Sequence, residues 1–505
     1  MWLLWIAACA RETIATPTGL PDRAPAVTLL ASIGPTGVTV AEATPGRGWV
    51  DLDQPDDTRY GFRYRLLDPS GETVYARGTL GPVLVTSFLD YWSETSGFDI
   101  LGAFPTLGAF PVQVPLVDDA SVVAFDVRDA AGDFAERGRF DLAAVDALPA
   151  RRSEAVVGWE TLHAGGPPAQ TLDLAIVGDG FRDDELPAFR EATDAIVAAL
   201  RDTEPFRSHL DQLNLYRVDA VSDASGVAYD CVGGCGPLDT AFDSIYAIEA
   251  VNALMGTTYD TRAIFQADQW EVARAVDVVP WDAVLVVANT TKFGGMAVHY
   301  ATTTLHVGYA ETAVHELGHA IGLLGDEYTG DACIRSESLG LPENITDSPE
   351  DPPWAHWVAP STPLPTPDGA VAEDAIGAFA PAFNCPDLYR PRAHCLMNDT
   401  GPFCAVCAEL MTRRLWRFSD PADDIALAPD AEGWVATVTG RPGSAVVVRV
   451  DGSEVARGTA DAPIAFPAAQ GATVEVTVEV DEPGVRADPE GDLLQTRRWT
   501  IDRAP

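Results

Sequence analysis

The sequence predicts a multidomain, mixed protein: an N-terminal β-sandwich, a central α/β domain and a small C-terminal β-sandwich. Three observations predict it. Short apolar runs broken by turn residues fill residues 24–150, strand, helix and strand patterns alternate from residue 171, and strictly alternating apolar residues return after residue 423. At 505 residues the chain exceeds one ordinary domain. Its 47% hydrophobic and 21% charged residues fit folded domains rather than disorder. With 33 Lys+Arg against 75 Asp+Glu the formal net charge is −42, a surface that favours solubility and repels nucleic acid and anionic membranes.

Residues 1–23 read as an export segment and a polar, Pro-containing tether. Met1 to Ala10, MWLLWIAACA, is apolar but too short to span a bilayer. Ile6-Ala7-Ala8-Cys9 resembles a bacterial lipoprotein signal, which implies an extracytoplasmic protein, secreted or lipid-anchored at the cell surface or in the periplasm through Cys9. No Lys or Arg precedes the run, a departure from the usual signal.

Residues 24–150 carry the first β signals. Val27-Thr28-Leu29-Leu30, Phe62-Arg63-Tyr64-Arg65-Leu66 and Val122-Val123-Ala124-Phe125-Asp126-Val127 alternate with turns such as Asp68-Pro69-Ser70-Gly71. Residues 151–170, with Arg151-Arg152, Gly165-Gly166 and Pro167-Pro168, read as a linker. Residues 171–422 form the central domain. Leu172 to Val177 is a near-continuous apolar strand, a helix is expected from about Asp184 to Asp202, and Asn214 to Val218 is the next strand. Gly178-Asp179-Gly180 lacks the third glycine and the lysine of a phosphate loop, so Asp179 reads as a turn residue. Ala283 to Ala288 is another buried strand, and Phe403 to Phe418 a closing helix with Leu410, Met411 and Leu415 inward. Residues 423–505 form a small, Ig-like β domain, most clearly in Val474 to Val480, which alternates as a half-buried strand should.

The candidate chemistry lies in Ala313 to Tyr328, AVHELGHAIGLLGDEY. His315 and His319 are four apart, so on a helix both imidazoles look the same way. Val314, Leu317, Ile321 and Leu324 fall on roughly the opposite face. Two imidazoles so placed form half of a zinc site, and Glu316 is placed to take a proton from metal-bound water. Gly318, Gly322 and Gly325 let the chain leave the helix. Asp326 or Glu327 then offers the third ligand, Asp326 being preferred; a turn at Gly322 or Gly325 must bring it back to His319.

His-Glu-x-x-His-x-x-Gly followed by Asp resembles the metzincin zinc peptidases, with Asp326 one residue later than the usual third ligand. Cys395-Leu396-Met397-Asn398-Asp399 is similar to a metzincin Met-turn, which implies that Met397 lies beneath the metal ligands. The segment closing in Asp-Glu-Tyr, together with Val177-Gly178-Asp179-Gly180-Phe181, Glu204-Pro205-Phe206 and Asn214 to Val218, resembles the IgA-peptidase family over roughly Thr171 to Phe418. The resemblance implies a zincin-like, metzincin-type catalytic domain, a Zn²⁺ cofactor held by His315, His319 and Asp326, Glu316 as general base, and a protein or peptide substrate; the IgA label belongs to the family and not to this chain. It also implies a strand before the helix that pairs with extended substrate, which makes His299, Tyr300 and His306 rim candidates that are more often structural. The metzincin tyrosine two residues after the Met is Asp399 here, so no oxyanion donor is named.

Cys231, Cys235, Cys333, Cys385, Cys395, Cys404 and Cys407 cluster mid-chain and fit an exported, disulfide-stapled domain. Cys404-x-x-Cys407 can serve a metal or redox site, but no second pair completes a zinc ribbon and bridges are the expected use. The expected function is an exported zinc endopeptidase. The rivals are a surface protein whose β domains bind protein or glycan, and a zinc amidase acting on cell wall.

Overall fold

The structure, a computed structural model, describes residues 15–18, 23–34, 37–52, 62–78, 109–128, 133–229, 238–246, 262–297, 299–330, 333, 341–431 and 433–502. The export segment with Cys9, and Cys231 and Cys235, lie outside the described residues. The chain divides into two compact units: a larger one, residues 23–419 with 484–487, and a smaller one made of the remaining N- and C-terminal segments. Strand β1 (Ala15–Thr18) belongs to the smaller unit.

Among the described residues, the larger unit begins with seven strands in two antiparallel sheets. β2 (Arg23–Gly34), β3 (Gly37–Asp51) and β6 (Ala109–Pro115) form one sheet, with β2 central. β4 (Phe62–Leu67), β5 (Thr73–Gly78), β7 (Val122–Arg128) and β8 (Phe134–Asp141) form the other, in the order β5-β4-β7-β8. Alternate residues turn inward. Phe62 meets Phe110 edge-on at 5.2 Å and Phe125 at 6.0 Å, so both sheets contribute to one apolar interior.

A six-stranded sheet follows. Its strands are β9 (Val156–Ala164), β10 (Leu172–Asp179), β11 (Leu213–Ala220), β15 (Ala283–Ala288), β16 (Gly295–Ala297) and β17 (Ala301–Thr304), in the order β16-β17-β15-β10-β11-β9. The short strands β12 (Ala228–Tyr229), β13 (Ser244–Tyr246) and β14 (Ile264–Gln266) form a small separate sheet. β10, β11, β15 and β17 are parallel, and the two border strands β9 and β16 are antiparallel to their neighbours. Every residue of β10, β11 and β15 is buried, as a parallel sheet covered on both faces requires. Leu172, Leu174 and Ile176 turn to one face, where α1 (Leu186–Asp202), α3 (Tyr309–Ala320) and α4 (Ala405–Phe418) cover them. Ala175 and Val177 turn to the other, against α2 (Gln269–Val276) and Trp281.

Two sequence expectations change here. The expected linker, residues 151–170, contains β9, which pairs with β11 along the sheet border. Its polar, Gly-flanked composition reflects an exposed border strand rather than a tether. The first β region is also tied to the rest of the larger unit by specific bonds. Arg274 on α2 pairs with the buried Glu42 at 2.7 Å, Trp270 Nε1 donates to the Ala31 carbonyl at 3.0 Å, and Gln113 Nε2 to the Trp281 carbonyl at 2.7 Å.

In the smaller unit, β18 (Ala422–Asp430), β19 (Gly433–Gly440) and β22 (Ile464–Phe466) form one sheet. β1, β20 (Ala445–Val450), β21 (Ser453–Thr459), β23 (Thr473–Glu479) and β24 (Leu494–Ile501) form the other, in the order β1-β24-β23-β20-β21. Trp434, Val438 and Phe466 from the first meet Val446, Val476 and Trp499 from the second in one core. Part of the expected N-terminal tether is thus β1, an edge strand paired with β24 from Ala15↔Ile501 to Thr18↔Arg498.

Candidate metal centre

α3 carries the candidate residues because its two faces do different work. Val314 and Leu317, followed by Ile321 and Leu324, are buried in the core beside α1 and α4. His315, Glu316 and His319 look the other way. The helix ends at Ala320, and Leu323, not a glycine, adopts the left-handed conformation that reverses the chain (φ +55°). The glycines are needed for close packing instead. A Cβ on Gly322 would stand 2.1 Å from Met411 Sδ, and one on Gly325 2.7 Å from the Pro342 ring. The reversal returns Asp326 to the two imidazoles, as the sequence required.

His315 Nε2 and His319 Nε2 are 3.2 Å apart, and Asp326 Oδ1 is 3.2 and 3.3 Å from them. The tautomers follow from the other ring nitrogens. His315 Nδ1 faces the Leu396 carbonyl at 2.8 Å and His319 Nδ1 the Leu324 carbonyl at 2.6 Å. A carbonyl only accepts, so each Nδ1 carries the hydrogen and each neutral Nε2 presents a lone pair. Three acceptor atoms therefore converge with no hydrogen between them, and Asp326 Oδ1 has no hydrogen-bond partner.

Such a cluster needs positive charge. Burial opposes charging His315 and His319, but Asp326 outweighs it and raises both above the ordinary imidazole range. Asp326, despite its partial desolvation, is held well below the usual carboxylate range by the two imidazoles. A proton satisfies one edge of the triangle; a cation satisfies all three corners. Zinc–nitrogen and zinc–oxygen bonds of about 2.0–2.1 Å in tetrahedral arrangement give edges of about 3.3 Å, which these match. His315, His319 and Asp326 thus fit a zinc ion by donor type and by spacing.

Around this triangle, Glu316 is buried, and desolvation pushes its carboxyl up to about 8. Its Oε1 lies against border strand β16: a Cβ on Gly295 would stand 2.3 Å from it. Tyr328 was not assigned a role by the sequence. Its ring stacks on His315 at 5.9 Å, and its hydroxyl lies 3.3 Å from His315 Nε2, beside the triangle of candidate ligands. Met397 is fully buried beneath α3: a Cβ on Gly318 would stand 2.8 Å from Met397 Sδ. The tight turn holding it closes with Asn398 and Asp399 N–H groups donating to the Cys395 carbonyl, each at 2.9 Å.

Other candidates serve the framework. Glu327, the alternative third ligand, points away from the imidazoles; its Oε1 lies 3.1 Å from Cys407 Sγ. The expected bridging of Cys404 and Cys407 is corrected: both are free thiols, as is Cys395, and Cys333–Cys385 is a disulfide. The strand preceding α3, β17, is paired on both sides, so the sheet border is β16. Tyr300 is buried with its hydroxyl on the Gln269 carbonyl. His306 is held between Thr304 and Thr312, and His299 stacks on Phe110. Asp179 accepts from the backbone N–H groups of Gly180, Phe242 and Ser244, the turn role its sequence implied.

Residues 161–373 match the family described as IgA Peptidase M64, a family of metallopeptidases. The matched segment contains the whole triangle with Glu316, Glu327 and Tyr328, and ends before Met397 and α4. No curated protein matches the chain.

Proposed function

We propose that this chain, which belongs to the IgA Peptidase M64 family through residues 161–373, is an exported zinc-dependent endopeptidase with a metzincin-like catalytic domain. The observation that carries the reading is the convergence of three lone pairs, from His315, His319 and Asp326, with a buried carboxyl, Glu316, one residue along the same helix.

Held by His315, His319 and Asp326, zinc would supply Lewis acidity, enough to acidify a water and to polarise a peptide carbonyl. Glu316, buried one residue from His315, accepts the water's proton and returns it to the departing amine. The Tyr328 ring is partly exposed, but desolvation around its hydroxyl and the nearby Asp326 carboxylate raise its phenol, which keeps it protonated. Its hydroxyl donates to the carbonyl oxygen of the substrate as negative charge develops there. The Leu396 and Leu324 carbonyls hold the two imidazoles in the ligating tautomer. An extended substrate chain lies along border strand β16, beside Glu316. Export is proposed from the Met1–Ala10 segment, with lipid attachment at Cys9; the Cys333–Cys385 bridge supports an oxidising compartment.

The test is cleavage of casein by the purified chain, its loss on chelation and its return with zinc. Asp326→Ala is expected to lose zinc from the His site and all cleavage, with His-site zinc kept in Glu327→Ala. Zinc-loaded, folded protein that cleaves no protein substrate would overturn the reading.

A further inference from the structure

A second group of ligand-type side chains lies one residue along from Asp326, and the chemistry above does not use it. The Sγ atoms of Cys395, Cys404 and Cys407 and a carboxylate oxygen of Glu327 all lie within 4.8 Å of one another. Each of the four residues is 1% exposed or less. We propose that these four side chains bind a second, structural zinc ion, closed by protein ligands on every side.

The donor set selects the ion. Three sulfurs suit zinc and exclude cations that prefer oxygen, and three cysteines with one further ligand make a closed tetrahedral structural site. The carboxylate is built in without its full complement of partners. Glu327 Oε1 faces Asn344 Nδ2 at 3.1 Å and Cys407 Sγ at 3.1 Å, but Oε2 is buried with no hydrogen-bond partner. An orphaned buried carboxylate oxygen is costly, and a cation beside it removes the cost.

Two of the sulfurs accept backbone N–H groups, which favours the thiolate, the form that binds metal. The Cys404 N–H points at Cys395 Sγ (3.2 Å) and the Cys407 N–H at Cys404 Sγ (3.5 Å). Cys404 also caps the N-terminus of α4, where the helix dipole favours negative charge. Three thiolates and a carboxylate around Zn²⁺ leave the same net charge as a four-cysteine site. A dithiol redox pair would use Cys404 and Cys407 but give Glu327 no part, whereas a zinc site uses all four.

The position gives this zinc a task. Glu327 follows Asp326 and donates its N–H to the Met397 carbonyl at 2.7 Å. Cys395 precedes Leu396, whose carbonyl orients His315. Cys404 and Cys407 begin α4. The ion therefore ties together the loop that presents Asp326, the turn that carries Met397 and the helix packed beneath α3. Its binding does not depend on the chain being a peptidase.

The experiment uses the full chain, purified without chelator. Metal analysis is expected to give about two zinc ions per chain, and zinc X-ray absorption to show sulfur at about 2.3 Å. Replacement of zinc by Co²⁺ is expected to give a sulfur-to-cobalt charge-transfer band in the near ultraviolet. His315→Ala should lose one metal and keep the band. Cys404→Ser with Cys407→Ser should lose one metal and the band; if that variant does not fold, the absorption of the unaltered chain decides. Zinc with nitrogen and oxygen neighbours alone would overturn the proposal. So would a disulfide among Cys395, Cys404 and Cys407 in peptide maps of the unreduced protein.

Discussion

Two backbone carbonyls, on Leu396 and Leu324, decide what His315 and His319 can do, because each fixes a proton on Nδ1 and leaves a lone pair on Nε2. Glu316 stands outside the proposed ligand set, and the difference can be measured. Glu316→Gln preserves size and leaves the triangle intact, so zinc content and thermal stability should match the parent. An amide cannot take a proton from water, so kcat should fall about 10²- to 10⁴-fold. Full activity with full zinc would remove Glu316 from the mechanism. Tyr328→Phe keeps the ring on His315 and deletes one donor; kcat should fall about 10²-fold with KM and zinc content little changed. The convergence of the His315 and His319 imidazoles was legible in the sequence because helix geometry turns a spacing of four into a shared face. Asp326 over Glu327 was legible only as a preference. The place of Tyr328 beside His315 was not legible, because it depends on a backbone reversal at Leu323 that no residue type announces.

Elements place the Glu316 carboxyl as much as residues do. β16 is the sheet border, and its Gly295 lets the strand approach Glu316 Oε1 more closely than any side chain allows. Gly295→Ala should push the carboxyl aside without touching a ligand. Zinc content should be unchanged and kcat should fall about 10²-fold, the scale expected when a catalytic group is misplaced by about 1 Å. An unaffected kcat would show that the Glu316 carboxyl tolerates displacement. The buried elements were the readable ones. β10, β15, α1 and α4 follow from continuous apolar runs or helical periodicity, and fall where the pattern put them. β9 looks like linker in the sequence because a border strand with one exposed side has little apolar signal, and its pairing with β11 is a property of the partner. The cysteines misled for a related reason. Cys395, Cys404 and Cys407 find their fourth companion, Glu327, across a long stretch of chain, and spacing carries no record of it.

At the scale of the whole chain, sequence order and folded units part company. β1 near the N-terminus is completed by β24 near the C-terminus, and residues 484–487 group with the larger unit rather than with the strands on either side of them. Composition shows neither exchange, since a short polar strand and a short polar loop look alike. In the larger unit the exchange has an energetic content that can be tested. Glu409 on α4 is buried, and its carboxylate has four donors. His356 Nε2 and Trp357 Nε1 reach Oε2 at 2.7 Å each, and the N–H groups of Arg486 and Ala487 reach Oε1. The Arg486 guanidinium also lies over the Trp357 ring at 3.6 Å. A chain ending at Ser419 keeps the metal triangle, Glu316 and Tyr328 but leaves Glu409 Oε1 without its two backbone donors. Removing the partners of a buried acceptor costs about 1–3 kcal/mol, and more when the acceptor is charged. Urea unfolding of the shortened chain, followed by tryptophan fluorescence, should show at least that loss in the larger unit, while zinc content and casein cleavage per folded molecule stay at the parent level. In the full chain, Arg486→Ala keeps the backbone N–H and removes only the contact with Trp357, so it should cost less, about 0.5–2 kcal/mol. A shortened chain as stable as the Arg486→Ala variant would mean that the Glu409 carboxylate finds water once residues 484–487 are gone, and that the segment contributes only its ring contact.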